Sequence, residues 1–551
     1  MITRTCGEQI PYLLKSYGVD TVFGMPGVHS LEFYRSLEAA GIRHIGVRHE
    51  QGAGFMADGY ARASRKPGVA MIISGPGVTN AATAVGQAYS DSVPVLLLTA
   101  AISTQAEGLG RGMLHEITDQ RGLTSPITGL SAMAYRAGQM PDHLARAFAR
   151  FKAVRPRPVH VSVPLDVLEE PLDWDQSVPA LPSTPGADPE IVEKIATLFK
   201  TTESPVILAG GGAVHASRAL RTLVERTGAA FVTTVAGKGI LPESHPQSLG
   251  STLQRLPTCR YVANADLVVA FGTEIAEPDL YVTADVEAAG DIDPALMEPV
   301  LSMSGAFVRI DIDPDVLVRD YSPQVALLSD AKLAAEGILD ALGGDTNARS
   351  DISKTLASIR EENAASLSSL EEAHSRVLIA LRAALPADAL VYADMTQIGY
   401  TGCVTFPVEQ PACWHFPMGF GTLGYALPAA IGGKIACPDR ATVVVVGDGG
   451  FQFTFAELAT AVEQRLALPI VLWDNDALAE IADFMQARDI PQVDVYPENP
   501  DFEDIARAFR CHYRRVDTAP ELTETVQIAL NADRPTIVHV RQTDDWSDND
   551  S

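Results

Sequence analysis

Short apolar runs of strand length alternate along this chain with longer stretches of helical periodicity. That is the pattern of a parallel sheet whose strands are buried on both faces. The clearest run is Val443-Val444-Val445-Val446, followed by Gly447-Asp448-Gly449-Gly450. Phe455 to Leu466 then reads as a helix, and Leu468-Pro469-Ile470-Val471-Leu472-Trp473 as the next strand. Nearer the N-terminus, residues 7–17, 31–40, 52–63 and 81–90 suit helices, and 21–24, 42–47, 69–74 and 93–100 suit strands. Further strands are expected over 205–209, 231–234, 267–272, 307–314 and 390–394. The pattern predicts an α/β fold of three doubly wound parallel-sheet domains, at residues 1–170, 190–342 and 355–540. Proline-bearing residues 171–189 and residues 342–350 read as linkers.

Composition narrows the class. The 551 residues suit about three or four domains, and 46% hydrophobic content can bury large cores. A net charge of −27 argues against nucleic acid or an anionic membrane as partner. The six cysteines show neither CxxC pairing nor zinc spacing, as expected of reduced thiols. No apolar run approaches membrane length and the first residues hold no apolar leader core, so a soluble cytoplasmic protein is expected. The acidic tail 544–551 reads as a solvated, loose end.

Two centres carry candidate chemistry. Asp448 and Asn475 stand at the ends of successive strands, 27 positions apart. Ligands bind at such strand ends in open α/β sheets. A carboxylate, an amide oxygen and a backbone carbonyl beside a diphosphate form a hard oxygen site for Mg²⁺. The second centre is Glu50, expected at a strand end. A glycine-rich loop, Gly108 to Glu116, holds His115, and His29 lies on the turn after the first strand. Gly210-Gly211-Gly212 could be a nucleotide turn, but the run alone is weak.

The Gly447-Asp448-Gly449 to Asn475 interval resembles the thiamine diphosphate (ThDP) signature, Gly-Asp-Gly followed at a distance by Asn-Asn. It departs from that signature at Asp474, which replaces the first Asn, and at Ala477-Leu478-Ala479. Three further segments closely resemble the pyrimidine-binding domain of the acetolactate synthase-like ThDP family: Arg48 to Arg62, Ser74 to Asn80 and Ala88 to Pro94. The chain is identified as a member of that family across pyrimidine-binding, middle and diphosphate-binding domains.

The resemblance implies the roles that follow. Glu50 hydrogen-bonds N1′ of the aminopyrimidine and exchanges a proton with it in a dry site. Asp448, Asn475 and the backbone carbonyl of Ala477 hold Mg²⁺. Leu423 wedges the cofactor into a bent shape, and Gln397, Gly421, Gly447, Gly449 and Gly450 line its diphosphate. His115 and His29 serve proton transfer, and Val28, His115 and Glu480 meet substrate. Glu480 is either a carboxylate favoured by the helix dipole or an anion in the substrate pocket. The acidic run Thr273-Glu274-Ile275-Ala276-Glu277, with no arginine after Gly272, argues against FAD in the middle domain.

The implied reaction is non-oxidative decarboxylation of a small-molecule 2-oxo acid through an enamine. A carboligase making an acetolactate-type product and a non-catalytic binding or assembly protein stand as alternatives. Pro26-Gly27-Val28-His29, the Gly-Arg-Gly-Met-Leu-His-Glu loop and Ala479-Glu480-Ile481 are similar to the branch that decarboxylates 5-guanidino-2-oxopentanoate. In the family Glu50 and the Asp448/Asn475 site come from different subunits. A homodimer is then the minimum unit, and a homotetramer is expected.

Overall fold

The computed structural model describes residues 4–175, 177–280, 301, 303–344 and 352–542. Among the described residues there are three parallel sheets and one two-stranded antiparallel pair. The N-terminal sheet runs, edge to edge, Arg43–Gly46, Thr21–Gly24, Gly68–Ile72, Val95–Ala101, Val159–Pro164, Leu130–Met133. The C-terminal sheet runs Trp414–His415, Leu390–Ala393, Thr442–Gly447, Pro469–Asp474, Thr536–Arg541, His512–Arg515. In chain order both are arranged second, first, third, fourth, sixth, fifth. The middle sheet has five strands, Ala230–Thr233, Pro205–Ala209, Leu267–Phe271, Ala306–Asp311, Val325–Leu328. Each sheet changes winding direction between its first and third strands, and the crevice beyond their carboxyl ends is the usual ligand position.

The central strands are buried along their whole length, as continuous β-branched and aliphatic runs require when helices cover both faces. Several boundaries differ from the sequence expectation. A helix occupies Asp448–Thr454, directly after the valine strand, and a separate helix spans Leu458–Glu463. The expected helix over 31–40 is helical only across Leu31–Tyr34. Within 171–189, Pro171–Leu172 pairs antiparallel with Arg4–Thr5 and ties down the start of the chain. Part of the expected linker at 342–350, and the acidic tail, lie outside the described residues.

The N- and C-terminal domains meet through helices Glu50–Ser64 and Ala426–Ala436, which occupy the same place in their respective sheets. The contact is reciprocal. A Cβ on Gly59 would lie 1.9 Å from the Ala429 carbonyl oxygen, and one on Gly432 would lie 2.0 Å from that of Met56. Tyr392 Oη donates to the Gly59 carbonyl at 2.9 Å, and Tyr425 Oη to Asp58 at 2.9 Å.

Two buried histidines link the fold to pH. His160, 2.8 Å from both Thr99 and Thr124 hydroxyls, is pushed by burial from 6.5 down to about 3. Burial likewise lowers His374, whose ring packs on Trp473, to about 4. Below pH 6.5 the unfolded chain binds protons that the folded chain refuses, so stability present above that pH is lost as pH falls toward 4 and 3. Burial raises Asp394 and Asp311 to about 6 and Asp279 to about 7, which acts in the opposite sense, so the histidine contribution is read by difference: the unfolding midpoint of His374→Gln should fall less between pH 7.5 and pH 5 than that of the wild type. An equal or larger fall in the variant would contradict this.

Candidate active site

In the N-terminal domain one loop, Ser74 to Asn80, gathers the candidate residues. It follows strand Gly68–Ile72 at the winding switch and includes the first residues of helix Pro76–Ser90, Asn80 among them. Glu50 is not at a strand end as expected but is the first residue of helix Glu50–Ser64, with His49 as the N-cap and its Nδ1 accepting from Gln51 N–H at 3.2 Å. The Glu50 carboxyl is buried, 5% exposed, and its Oε2 accepts from Asn80 Nδ2 at 2.9 Å. A Cβ on Gly77 would lie 2.8 Å from Ile73 Cγ2 and in ordinary contact, at 3.5 Å, with Glu50 Oε1.

His29 Nδ1 lies 3.0 Å from Ser74 Oγ, and its ring meets that of His115 edge-on with centroids 4.9 Å apart. Burial, then the neighbouring His115, push the His29 pKa down, favouring its neutral form. His115 takes a left-handed conformation (φ 62°) and its Nδ1 is buried with no hydrogen-bond partner among the described residues. Gly75, at φ 60°, donates its N–H to Gln120 Oε1 at 3.1 Å. A Cβ there would lie 2.5 Å from the His115 carbonyl oxygen, so only glycine lets the two loops close up. Val28, by contrast, is 72% exposed. His143, on helix Met140–Ala153, is half-buried and stands apart from this group.

A residue that sequence reasoning passed over supports Glu50 from below. Glu457 of the C-terminal domain accepts from the backbone N–H groups of Arg48 and His49, each at 3.0 Å, and from Thr460 Oγ1 at 2.6 Å. Burial raises its pKa against those hydrogen bonds. It therefore fixes the turn that aims Glu50, and no motif in the sequence announces it.

In the C-terminal domain two uncapped helix starts face the switch crevice. Helix Gln397–Thr405 begins after Thr396, and helix Asp448–Thr454 after Gly447, neither with a side-chain cap. Free N–H groups at such ends attract anions. The loops touch: a Cβ on Gly447 would lie 2.7 Å from Thr396 Oγ1, and one on Gly450 3.0 Å from Asp394 Oδ1. Asp394 accepts from the N–H groups of Met395, Gly424 and Ala426 at 2.9 to 3.0 Å and so pins the segment bearing Leu423. Its carboxyl is pushed up to about 6 by burial, against those bonds. Leu423 is half-buried, close to Gly450, and Gly421 is exposed at φ 65°.

Asp448 is buried, which raises its pKa, while its Oδ2 accepts from Asn499 Nδ2 at 2.7 Å. The same amide nitrogen reaches Asp474 Oδ1 at 3.1 Å and Asp476 Oδ1 at 3.2 Å. Asn475 Oδ1 accepts from Ala477 N–H at 3.3 Å. Asn499, from a stretch without any sequence signal, thus draws Asp448 together with Asp474 and Asp476, while Asn475 Oδ1 is engaged within its own turn.

The departure at Asp474 has a physical answer. His539 Nε2 lies 2.8 Å from Asp474 Oδ2, and Arg541 Nη2 2.6 Å from Asp476 Oδ2. Although burial alone would raise the Asp474 pKa, the His539 bond, the His539 charge and Arg541 hold it below the usual range. The added carboxylates are thus charge-compensated on the side away from Asp448.

Gln397 does not present its side chain as expected. Its Nε2 donates to Glu480 at 3.3 Å and Asp483 at 3.1 Å, which leaves the backbone N–H at the helix start as its donor toward an anion.

These residues fit a diphosphate-bearing cofactor. Two free helix starts and a glycine-lined turn converge at one switch point, with an oxygen donor set beside them. Among the described residues no group of three or more His, Cys, Asp or Glu side chains has the arrangement to hold a metal, so a divalent cation here would rest on the mixed set at Asp448, Asn475 and a backbone carbonyl. None of the six cysteines is paired. Among the described residues no helix is long and apolar enough to cross a membrane.

Comparison with known proteins agrees with this geometry. Residues 4–123 match the N-terminal TPP binding domain of thiamine pyrophosphate enzymes, 192–338 their central domain, and 394–540 their C-terminal TPP binding domain. The probable 2-ketoarginine decarboxylase of Pseudomonas aeruginosa is 44% identical over 542 residues, covering 98% of this chain and 94% of that protein. The probable acetolactate synthase large subunit of Methanocaldococcus jannaschii is 30% identical, covering 97% and 91%. The acetolactate synthase isozyme 1 large subunit of Escherichia coli is 28% identical, covering 98% and 94%. Sequence, fold and these matches therefore lead to one statement: this chain belongs to the thiamine pyrophosphate enzymes, a family that includes decarboxylases and acetolactate synthases.

Proposed function

We propose that the protein is a ThDP- and Mg²⁺-dependent decarboxylase of a cationic 2-oxo acid, 5-guanidino-2-oxopentanoate. The observation that carries the substrate is the pair Glu480 and Asp483, two carboxylates one helical turn apart, close behind the Asn475 turn. Similarity to a protein named as a 2-ketoarginine decarboxylase supports the same reading.

When bound, ThDP supplies an electron sink for the carbon that loses CO₂. The chain's residues do the rest. Asp448, Asn475 and the Ala477 carbonyl hold Mg²⁺, and the starts of helices Gln397–Thr405 and Asp448–Thr454 meet the diphosphate. Leu423 supplies the apolar wedge. Glu50, buried and oriented by Asn80, exchanges a proton with the pyrimidine N1′. The neutral His29, backed by Ser74 and His115, is placed to pass a proton to or from substrate.

Glu50's polar neighbours all belong to the N-terminal half and those of Asp448 all to the C-terminal half, with no residue shared among the described ones. This supports a site completed between two chains, in a homodimer or a tetramer built from dimers. Flavin is not part of the reading. In the middle domain the Gly210 N–H donates to the Phe271 carbonyl at 3.0 Å and the Gly212 N–H to that of Gly272 at 3.1 Å, so these two glycine donors are engaged by backbone. Arg155 and Arg319 pair with Glu274, at 2.6 and 2.8 Å.

A panel of cationic, acidic, aromatic and short aliphatic 2-oxo acids, assayed for CO₂ release with and without ThDP, tests the proposal. Cofactor-dependent release favouring the cationic acid is expected. A five-carbon acid formed from pyruvate alone would instead establish the carboligase. A smaller test concerns orientation: Asn80→Ala should lower kcat by about 10-fold while leaving the unfolding midpoint nearly unchanged, since the loss is one hydrogen bond aiming Glu50. An unchanged kcat would remove Asn80 from the site.

A further inference from the structure

Asn499 reaches Asp448 from a segment that is held at both its ends. It precedes Pro500, which confines its backbone to extended conformations. Three residues on, Phe502 is 4% exposed, and its ring meets those of Phe451 and His539 edge-on, with centroids 6.0 and 5.4 Å apart. Phe451 belongs to helix Asp448–Thr454, so the segment is docked on the element that begins with Asp448. The Asn499 amide is fixed in turn. Its Oδ1 accepts from Gln452 Nε2 at 2.9 Å, and the same Nε2 donates to the Asp448 backbone carbonyl at 3.2 Å. Its Nδ2 donates to Asp448 Oδ2 at 2.7 Å, the shortest of its three carboxylate contacts. Turning the amide over would set its oxygen against three carboxylates and its NH2 against that of Gln452, so charge decides the orientation. Asp474 and Asp476 have other partners in His539 and Arg541. For the Asp448 carboxyl, Asn499 is the one side-chain donor among the described residues.

We infer that Asn499 is a positioning residue for the divalent cation: it locks the orientation of the Asp448 carboxylate and thereby favours Mg²⁺ over Ca²⁺. This rests on the Mg²⁺ reading given above and deepens it. Mg²⁺ demands near-ideal octahedral geometry at short distance, whereas Ca²⁺ accepts longer and irregular coordination. A ligand carboxylate held in one orientation therefore matters more to the smaller ion. Gln452 aims the amide and Asn499 aims the carboxylate, a chain of two neutral side chains behind one charged ligand.

The test titrates Mg²⁺ and Ca²⁺ calorimetrically, each in a fixed excess of ThDP, into the wild type, Asn499→Ala and Gln452→Met. Asn499→Ala should raise the Mg²⁺ Kd by about 10- to 100-fold and change the Ca²⁺ Kd by less than about 3-fold. Gln452→Met keeps Asn499 but frees its amide to turn, and should shift the ratio of the two Kd values the same way by about 3- to 10-fold. Neither substitution removes a charge. A general loosening of the loop, or a change in repulsion among the carboxylates, would move both cations alike. An unchanged Kd ratio in Asn499→Ala would therefore overturn the role of Asn499 while the Mg²⁺ reading stands. If circular dichroism shows that variant unfolded, the ratio in Gln452→Met decides by the same criterion. A wild type that binds neither cation in the presence of ThDP would overturn the Mg²⁺ reading as well.

Discussion

Glu50→Gln is expected to lower turnover by about 100- to 10,000-fold, the span that a positioned acid–base group contributes. The replacement keeps the shape of the side chain. It sits in the same buried place at the head of helix Glu50–Ser64, with Asn80 within reach. What it removes is the ability to exchange a proton with a ring nitrogen. Cofactor binding should survive, because the anion-facing helix starts and the Asp448/Asn475 set belong to the other domain. CO₂ release and calorimetric titration with ThDP and Mg²⁺ check the two halves of the expectation. Undiminished rates would take Glu50 out of the mechanism.

Gly59→Ala should be among the most disruptive single-methyl changes in stability. Its Cβ would stand 1.9 Å from the Ala429 carbonyl oxygen, a backbone atom in the facing helix that has no rotamer by which to retreat. Helices Glu50–Ser64 and Ala426–Ala436 must separate, and overpacking of this kind costs about 3 kcal/mol or somewhat more. Gly432→Ala should behave alike. The double variant should cost less than the sum, because helices already pushed apart have room for the second methyl. Thermal unfolding of the three variants measures this. A Gly59→Ala protein as stable as the wild type would refute the close approach.

The three-sheet architecture was legible because central strands announce themselves: Val443 to Val446 and Leu468 to Trp473 are buried at every position, so their sequence is apolar throughout. The edge strands of the C-terminal sheet were not. His512–Arg515 is mostly exposed and charged, and Trp414–His415 has two residues, too few for any period. The Asp448–Thr454 helix was missed because Gly449 and Gly450 suggest a turn, while a close crevice tolerates no side chain there.

In the candidate site, residues in local motifs could be singled out as candidates: Glu50, Asp448, Asn475, His115. Partners contributed from afar were not. Asn499 meets Asp448 across 51 positions and Glu457 meets Arg48 across 409, and such pairs are made by folding rather than by spacing. Gln397 shows the remaining limit: its position was anticipated, but its side chain is turned by two carboxylates on a helix that sequence alone could not bring near it.

The matching strand orders of the outer sheets, joined by a reciprocal glycine contact, carry a consequence for assembly. Contacts in which each side offers the same element to the other are how identical subunits pair. Here the two halves are covalently tethered through the central domain, so their pairing proceeds at the effective concentration of a linker rather than that of the protein. Dilution cannot part them. Each half can therefore carry different loops without losing its counterpart.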